Sequence, residues 1–263
     1  MLQRSHFGAG SLAAAAAAFS EEAPPAALVP SDPAAFLARR MDLRGSVDLA
    51  RQLAVIDRSP TPTTSDPEAA QRLRALVRSR LGEVKTSVDR VFADPFQRRN
   101  KLPTSAQIHA SLSQAGALTT RGGRPVAAAV DAIWPPFAEL YSLWLDRVGF
   151  EARVLRQEIA PMIQALGPAA ARLERLDAAL LGATAKGRAE LLDKLLPGLA
   201  RSFALTLSRA VASLPAAATP SHIAAWTVAP GWLRPEIARA HAVVLAVLAH
   251  ERGRLEGLVG TAG

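Results

Sequence analysis

Residues 134–166 read WPPFAELYSLWLDRVGFEARVLRQEIAPMIQAL, and this stretch decides the fold. Phe137, Tyr141, Trp144, Val148, Leu155, Ile159, Met162 and Leu166 recur at spacings of three, four and seven. That is the period of one face of an α-helix. Trp134-Pro135-Pro136 marks its start, because the first N–H groups of a helix have no internal partner and a proline loses nothing there. Pro161 predicts a kink in the last turns, since it removes one N–H and crowds the turn before it. Gly167-Pro168 ends the pattern.

The same signal extends in both directions. Residues 67–93 carry Leu73, Val77, Leu81, Val84, Val88 and Val91 as a coiled-coil-like stripe, opened by Asp66-Pro67-Glu68. A first long helix is predicted over 32–56, opened by Asp32-Pro33, with a Pro/Thr/Ser loop at 59–65 after it. Residues 94–132 read as loop-rich, with a short helix near Gln107–Gln114 and a flexible loop at 119–125. Beyond Pro168, Leu173, Leu176 and Leu180 predict a shorter helix. Lys186–Leu214 reads as one long pattern that Pro197 kinks. Thr219-Pro220 is another start signal, and Pro235–Val259 is the last helix. Strand signals are nearly absent. Stripes of this kind cannot stand alone in water, so they must pack on one another or on a partner. The expectation is an all-α protein: an elongated bundle of long, partly kinked helices with coiled-coil-like packing. It would occupy residues 32–263 as one domain, after an Ala-rich segment at 1–31 that is a short helix or partly disordered.

Composition narrows the chemistry. The chain has 263 residues, 49% of them hydrophobic, which suffices for a sizeable core. It has no cysteine, which excludes disulfides, thiolate metal sites and cysteine nucleophiles, and which fits a reducing compartment. No run approaches the ~20 apolar residues of a spanning helix. Arg4 followed by Ala13–Ala18 is a weak match to a secretion signal, and Glu21-Glu22 stands where a cleavage site belongs. A short helix is the preferred reading there.

Motif by motif, no catalytic constellation emerges. Gly8-Ala9-Gly10-Ser11-Leu12-Ala13 has dinucleotide-binding spacing, but too few residues precede it to form the strand such a site needs. His250-Glu251 is half of a zinc-protease motif, and Arg254 stands where the second histidine belongs. His241 lies on an apolar stripe and reads as a partly buried helix residue. Glu151 and Glu158, with Arg153 and Arg156 nearby, read as a solvated face tied by intrahelical ion pairs. Ser202 and Asp193 have no histidine to act with. No enzyme activity, cofactor, metal or small-molecule substrate is expected.

The basic signal is stronger. Net charge is +8, and residues 71–101 hold nine basic residues against three acidic ones. Arg74, Arg78 and Lys85 fall opposite the Leu/Val stripe and are the candidate anion-binding residues, toward phosphates or an anionic membrane. The alternative for the same residues is an ordinary solvated helix face.

The order of features resembles a bacterial family catalogued as domain of unknown function 3348. Four places carry the likeness. Phe7 with Ser11-Leu12 is similar to its opening helix, and Phe36-Leu37-Ala38-Arg39 through Leu53 to its second segment. Phe137-Ala138-Glu139-Leu140-Tyr141, Ile159-Ala160-Pro161, Leu176-Asp177, Pro197 and Phe203 follow its central region. Gly231-Trp232-Leu233, Val244–Leu248 and Leu255–Val259 are similar to its last helix. The first helix departs in being mostly Ala, and His250-Glu251-Arg252 replaces a more acidic stretch. The resemblance implies a cytoplasmic bacterial protein. Relatives are often encoded beside envelope proteins similar to proton-channel motor subunits and peptidoglycan-binding proteins. No activity or catalytic residue comes with it. The expected function is therefore that of a non-enzymatic accessory protein. It would bind a helical protein partner or form a homo-oligomer, in association with an envelope motor-type complex. The alternative is nucleic-acid or anionic-membrane binding through the basic helix at 71–101.

Overall fold

The computed structural model describes residues 67–118, 126–215 and 217–262, together with residues 47, 49–51 and 54, which are helical. Among these the chain is all-α. Seven helices follow in order: α1 (Pro67–Ala93), α2 (Ser105–Gln114), α3 (Val126–Ala165), α4 (Pro168–Leu192), α5 (Leu195–Ala212), α6 (Pro220–Thr227) and α7 (Leu233–Ala262). A single 3-10 turn, Arg98–Asn100, lies between α1 and α2. The Ala-rich segment at 1–31, most of the helix expected over 32–56 and the loops at 59–65 and 119–125 fall outside the described residues.

Local chemistry sets the ends of these helices. Pro67 opens α1, with Glu68 in its first turn and Arg90 in its last, each complementing the helix dipole. In α2 the Thr104 hydroxyl accepts from the Gln107 N–H, and the Gln107 side-chain oxygen accepts from the Thr104 N–H at 2.8 Å. This capping box satisfies two donors that the first turn cannot. Thr104→Ala is expected to cost about 1 kcal/mol, with Thr104→Ser close to neutral, measured by chemical denaturation. Thr219 opens α6 in the same manner, with the His222 ring accepting from its backbone N–H at 3.1 Å. Between α6 and α7 the chain turns so tightly that a Cβ at Gly231 would strike the carbonyl oxygens of Ala225 and Trp226. Only glycine fits there.

Three boundaries differ from the sequence reading. α3 begins at Val126 and not at Trp134, so Pro135 and Pro136 lie inside a helix. The preceding Ala-rich turns favour helix, and they bury Ala129 and Ile133 in register with Phe137. That burial offsets the hydrogen bonds the prolines remove. The loop-rich stretch is correspondingly shorter than 94–132. α4 continues to Leu192, through Gly182 and Gly187, where a new pattern was expected from Lys186. The break falls at Asp193-Lys194. Pro197 therefore sits in the first turn of α5, where its missing N–H costs little, and marks a helix start in place of a mid-helix kink.

The described residues divide into two compact units. The first comprises the residues up to Lys85, Val148–Lys194 and those from Ala246 onward. Its buried side chains include Leu73, Val77 and Leu81 of α1, Leu155, Ile159 and Ile163 of α3, and Leu255 and Val259 of α7. The second comprises Thr86–Arg147 and Leu195–Leu245. Its core gathers Ile108, Leu112, Phe137, Tyr141, Phe203, Leu207, Ile223 and Ile237. There α2 packs against α6, and a His109 ring nitrogen lies 3.0 Å from the Ala218 carbonyl. No helix among the described residues is long and apolar enough to cross a membrane.

Candidate functional site

The three candidate anion-binding residues lie on α1, and the structure gives each of them company within the chain. Arg74 Nη2 donates to the Gly260 carbonyl at 2.9 Å. That carbonyl belongs to the last turn of α7, where C=O groups lack helical partners and a cation meets the negative end of the dipole. Arg78 Nε donates to Glu256 Oε1 at 3.1 Å, and Arg252 shares the same oxygen at 3.0 Å. Lys85 is exposed and makes an interaction of its own. Arg72 pairs with Glu68 and Arg80 with Glu158. The α1 surface is thus cationic in sequence yet largely balanced by carboxylates in space. Val77 and Val88 of its apolar stripe are fully buried, so that stripe is internal core.

A charged cluster lies inside the first unit. Arg156 Nη2 donates to Glu174 Oε1 at 2.7 Å, and its Nε donates to Asp177 Oδ2 at 2.9 Å. Gln164 Nε2 donates to the other Glu174 oxygen at 2.7 Å. Arg254 bridges Asp177 at 3.3 Å and Glu251 at 3.4 Å, and Arg188 closes on Glu251 as well. Three guanidiniums and three carboxylates from α3, α4 and α7 thereby neutralise one another. Burial pulls the Arg188 guanidinium below its ordinary range, and the nearby Arg254 and Arg153 cations add to this. For Arg254 burial again lowers, against the opposing pull of Asp177. The solvated face expected around Glu151 and Glu158 is corrected at Arg156, which is buried and pairs across helices. Glu158 pairs with α1. Glu251, half of the apparent zinc motif, is an ion-pair partner. No group of three or more His, Asp or Glu side chains among the described residues is placed to hold a metal.

The second unit holds a polar cluster beside aromatic rings. Buried Glu236 accepts from Ser202 Oγ at 3.1 Å, Thr206 Oγ1 at 2.8 Å and Arg239 Nη1 at 2.6 Å. Trp134, Phe137 and Trp232 each stand 5.2–5.4 Å from the Phe203 ring. His241 is half-buried, pairs with Asp89 at 2.9 Å and stacks on Phe92, in keeping with its reading as a helix residue. The Tyr141 hydroxyl is buried with no hydrogen-bond partner among the described residues. Burial, and then the Glu236 carboxylate, push its ionisation well above the ordinary value. The chain has one tyrosine, so tyrosinate absorbance reports this group alone. The folded protein should stay protonated well above pH ~10, where the unfolded chain ionises. The neutral phenol is the form the fold favours. Its contribution is complete below the unfolded pKa and declines as pH rises toward the folded one. A native titration midpoint near the ordinary tyrosine value would refute this.

α3 carries a second apolar line that the sequence reading missed. Its buried side presents Val148, Ala152, Leu155 and Ile159. Half a turn away, Phe150 is 53% exposed, and Leu143, seven residues earlier on the same helix, is 62% exposed. Val154 is half-buried and Pro161 exposed on the same line as Phe150. Met162, expected in the buried stripe, is 45% exposed. The signal was present in the sequence as Leu143 and Phe150, which fit no position of the stripe through Tyr141 and Val148. Searches of protein-family models, of curated proteins and of solved structures return no match to this chain.

Proposed function

We propose that the protein is a non-enzymatic interaction protein that holds a helical protein partner on the outer face of α3. The observation that carries this is Phe150, half exposed on a line with Val154 and Pro161, on the side of the helix opposite its buried face. A large aromatic flanked by aliphatic groups is the usual anchor of an interface, since it buries much area at a small cost in side-chain entropy. The spacing of four and seven suits the ridge of a second helix. The resemblance to the family of unknown function supports an accessory role in the cytoplasm beside an envelope motor-type complex. Affinity purification of the tagged wild type beside Phe150→Glu tests the reading. A partner held by the wild type should fall at least about tenfold with the variant while helix content is unchanged. Equal recovery of every partner by both would remove this face.

A second reading, nucleic-acid or anionic-membrane binding through α1, draws support from the exposure of Arg78, Arg80 and Lys85. It calls for retention on DNA, RNA or anionic vesicles that fades steeply as salt rises. No retention at low salt would exclude it.

A further inference from the structure

The charged cluster of the first unit is balanced until Arg153 is counted. Arg156, Arg188 and Arg254 answer Glu174, Asp177 and Glu251 one for one. Arg153 is a fourth guanidinium, and no carboxylate among the described residues answers it. Its side chain is exposed and lies back along α3, where a Cβ at Gly149 would stand 3.5 Å from Arg153 Nη1. α4 runs antiparallel to α3. Glu174 meets Gln164, while Asp177, further along α4, meets Arg156, earlier on α3. Arg188 lies about three turns beyond Asp177 on α4. That brings it level with the turn of α3 at Gly149, over which the Arg153 guanidinium lies. The electrostatics agree, since the Arg254 and Arg153 cations, after burial, make it harder for Arg188 to hold its charge. Arg188 meets Glu251 through Nη2 alone, and Arg254 Nε is buried with no hydrogen-bond partner among the described residues. Donors therefore outnumber acceptors here. The nearest acids in sequence do not change this. Glu151 and Glu190 each stand two residues from one of the arginines, about 200° around its helix. Glu151 also has an interaction of its own.

We infer that Arg153 and Arg188 hold a phosphate-type oxyanion between them, at the outer edge of this cluster. A guanidinium presents its N–H groups as a fork that matches the oxygens of a carboxylate or a phosphate. The carboxylate places in the cluster are already filled by side chains. Two forks reaching in from two helices call for oxygens that point in two directions. A tetrahedral anion supplies them, where a flat carboxylate serves one fork. Arg254 adds a third positive charge to the field at this point, which suits a dianion. The shared chemistry is the phosphoryl oxyanion, carried either by free phosphate or by an ester on a larger molecule. The site lies on α3 and α4 within one unit and does not use Phe150, so it and the partner-holding face fail independently.

The test is calorimetric titration of the full chain with inorganic phosphate and with glycerol phosphate, a small phosphomonoester, at matched ionic strength. Phosphate should bind at a single site and raise the melting temperature of the wild type. Arg153→Gln should weaken binding at least about tenfold. Because Arg153 is exposed, the melt of that variant without phosphate should match the wild type. Arg175→Gln, which removes an exposed cation elsewhere on α4, should bind as the wild type does. Binding of either probe supports the site. Tighter binding of the ester assigns the site to a phosphorylated molecule, and exclusion of the ester assigns it to the free anion. Folded wild type that binds neither probe up to about 10 mM would overturn the inference. So would binding that Arg153→Gln leaves intact, or acetate that competes as well as phosphate does.

Discussion

Glu251→Ala should lower folding stability by about 3–5 kcal/mol, the cost of breaking a buried ion pair by removing one partner. Glu251 is 2% exposed and holds both Arg188 and Arg254. Without it Arg254 keeps Asp177, but Arg188 loses its carboxylate in a site where burial already disfavours its charge. The energy at stake lies in the cation left behind. Joint replacement, Glu251→Met with Arg188→Met, should therefore recover a large part of the loss. Urea denaturation of the single and double variants measures both. Arg72→Ala provides the contrast. It breaks an exposed pair one helical turn long and should stay within about 0.5 kcal/mol of wild type. A single-variant loss under about 1 kcal/mol would mean that the six-group cluster is not the tie between α3, α4 and α7.

Phe203→Ala should cost a similar amount, about 3–5 kcal/mol, for a different reason. Its ring is 1% exposed and touches Trp134, Phe137 and Trp232. Truncation leaves a cavity among groups too large and too well packed to collapse into it. Phe203→Leu should cost much less, because it keeps most of the volume. Tryptophan fluorescence should also shift in the alanine variant, as two of the three neighbours are indoles. Calorimetry showing Phe203→Ala and Phe203→Leu equally mild would place the second unit's core elsewhere.

The helices were legible because their signals are local. Apolar spacing and Asp66-Pro67 placed α1 at its observed limits, and Thr219-Pro220 marked α6. The errors arose where a local breaker was outweighed by packing. Pro135 and Pro136 read as a start, yet burial of Ala129 and Ile133 carries the helix through them. Lys186 read as the start of a new pattern, yet α4 runs on through it to Leu192. Pairing across helices was illegible for a deeper reason. Glu174 lies eighteen residues from Arg156, and Glu251 lies sixty-three from Arg188, and no spacing rule connects such positions. The same blindness affected the basic helix. Arg78 counts as a positive charge in sequence, but Glu256, distant in the chain, answers it in space. The exposed line of α3 is the reverse case. Leu143 and Phe150 stood in plain view, and only the position of the buried face showed that they point away from it.

The most direct measurement is photocrosslinking in the living cell from a reactive side chain placed at Phe150, beside the same group at exposed Arg175 of α4. The expected result is a discrete adduct with another protein from position 150 and none from position 175. Adducts that are the same from both positions, or absent from position 150, would contradict the assignment of α3's outer face as the site that holds a partner.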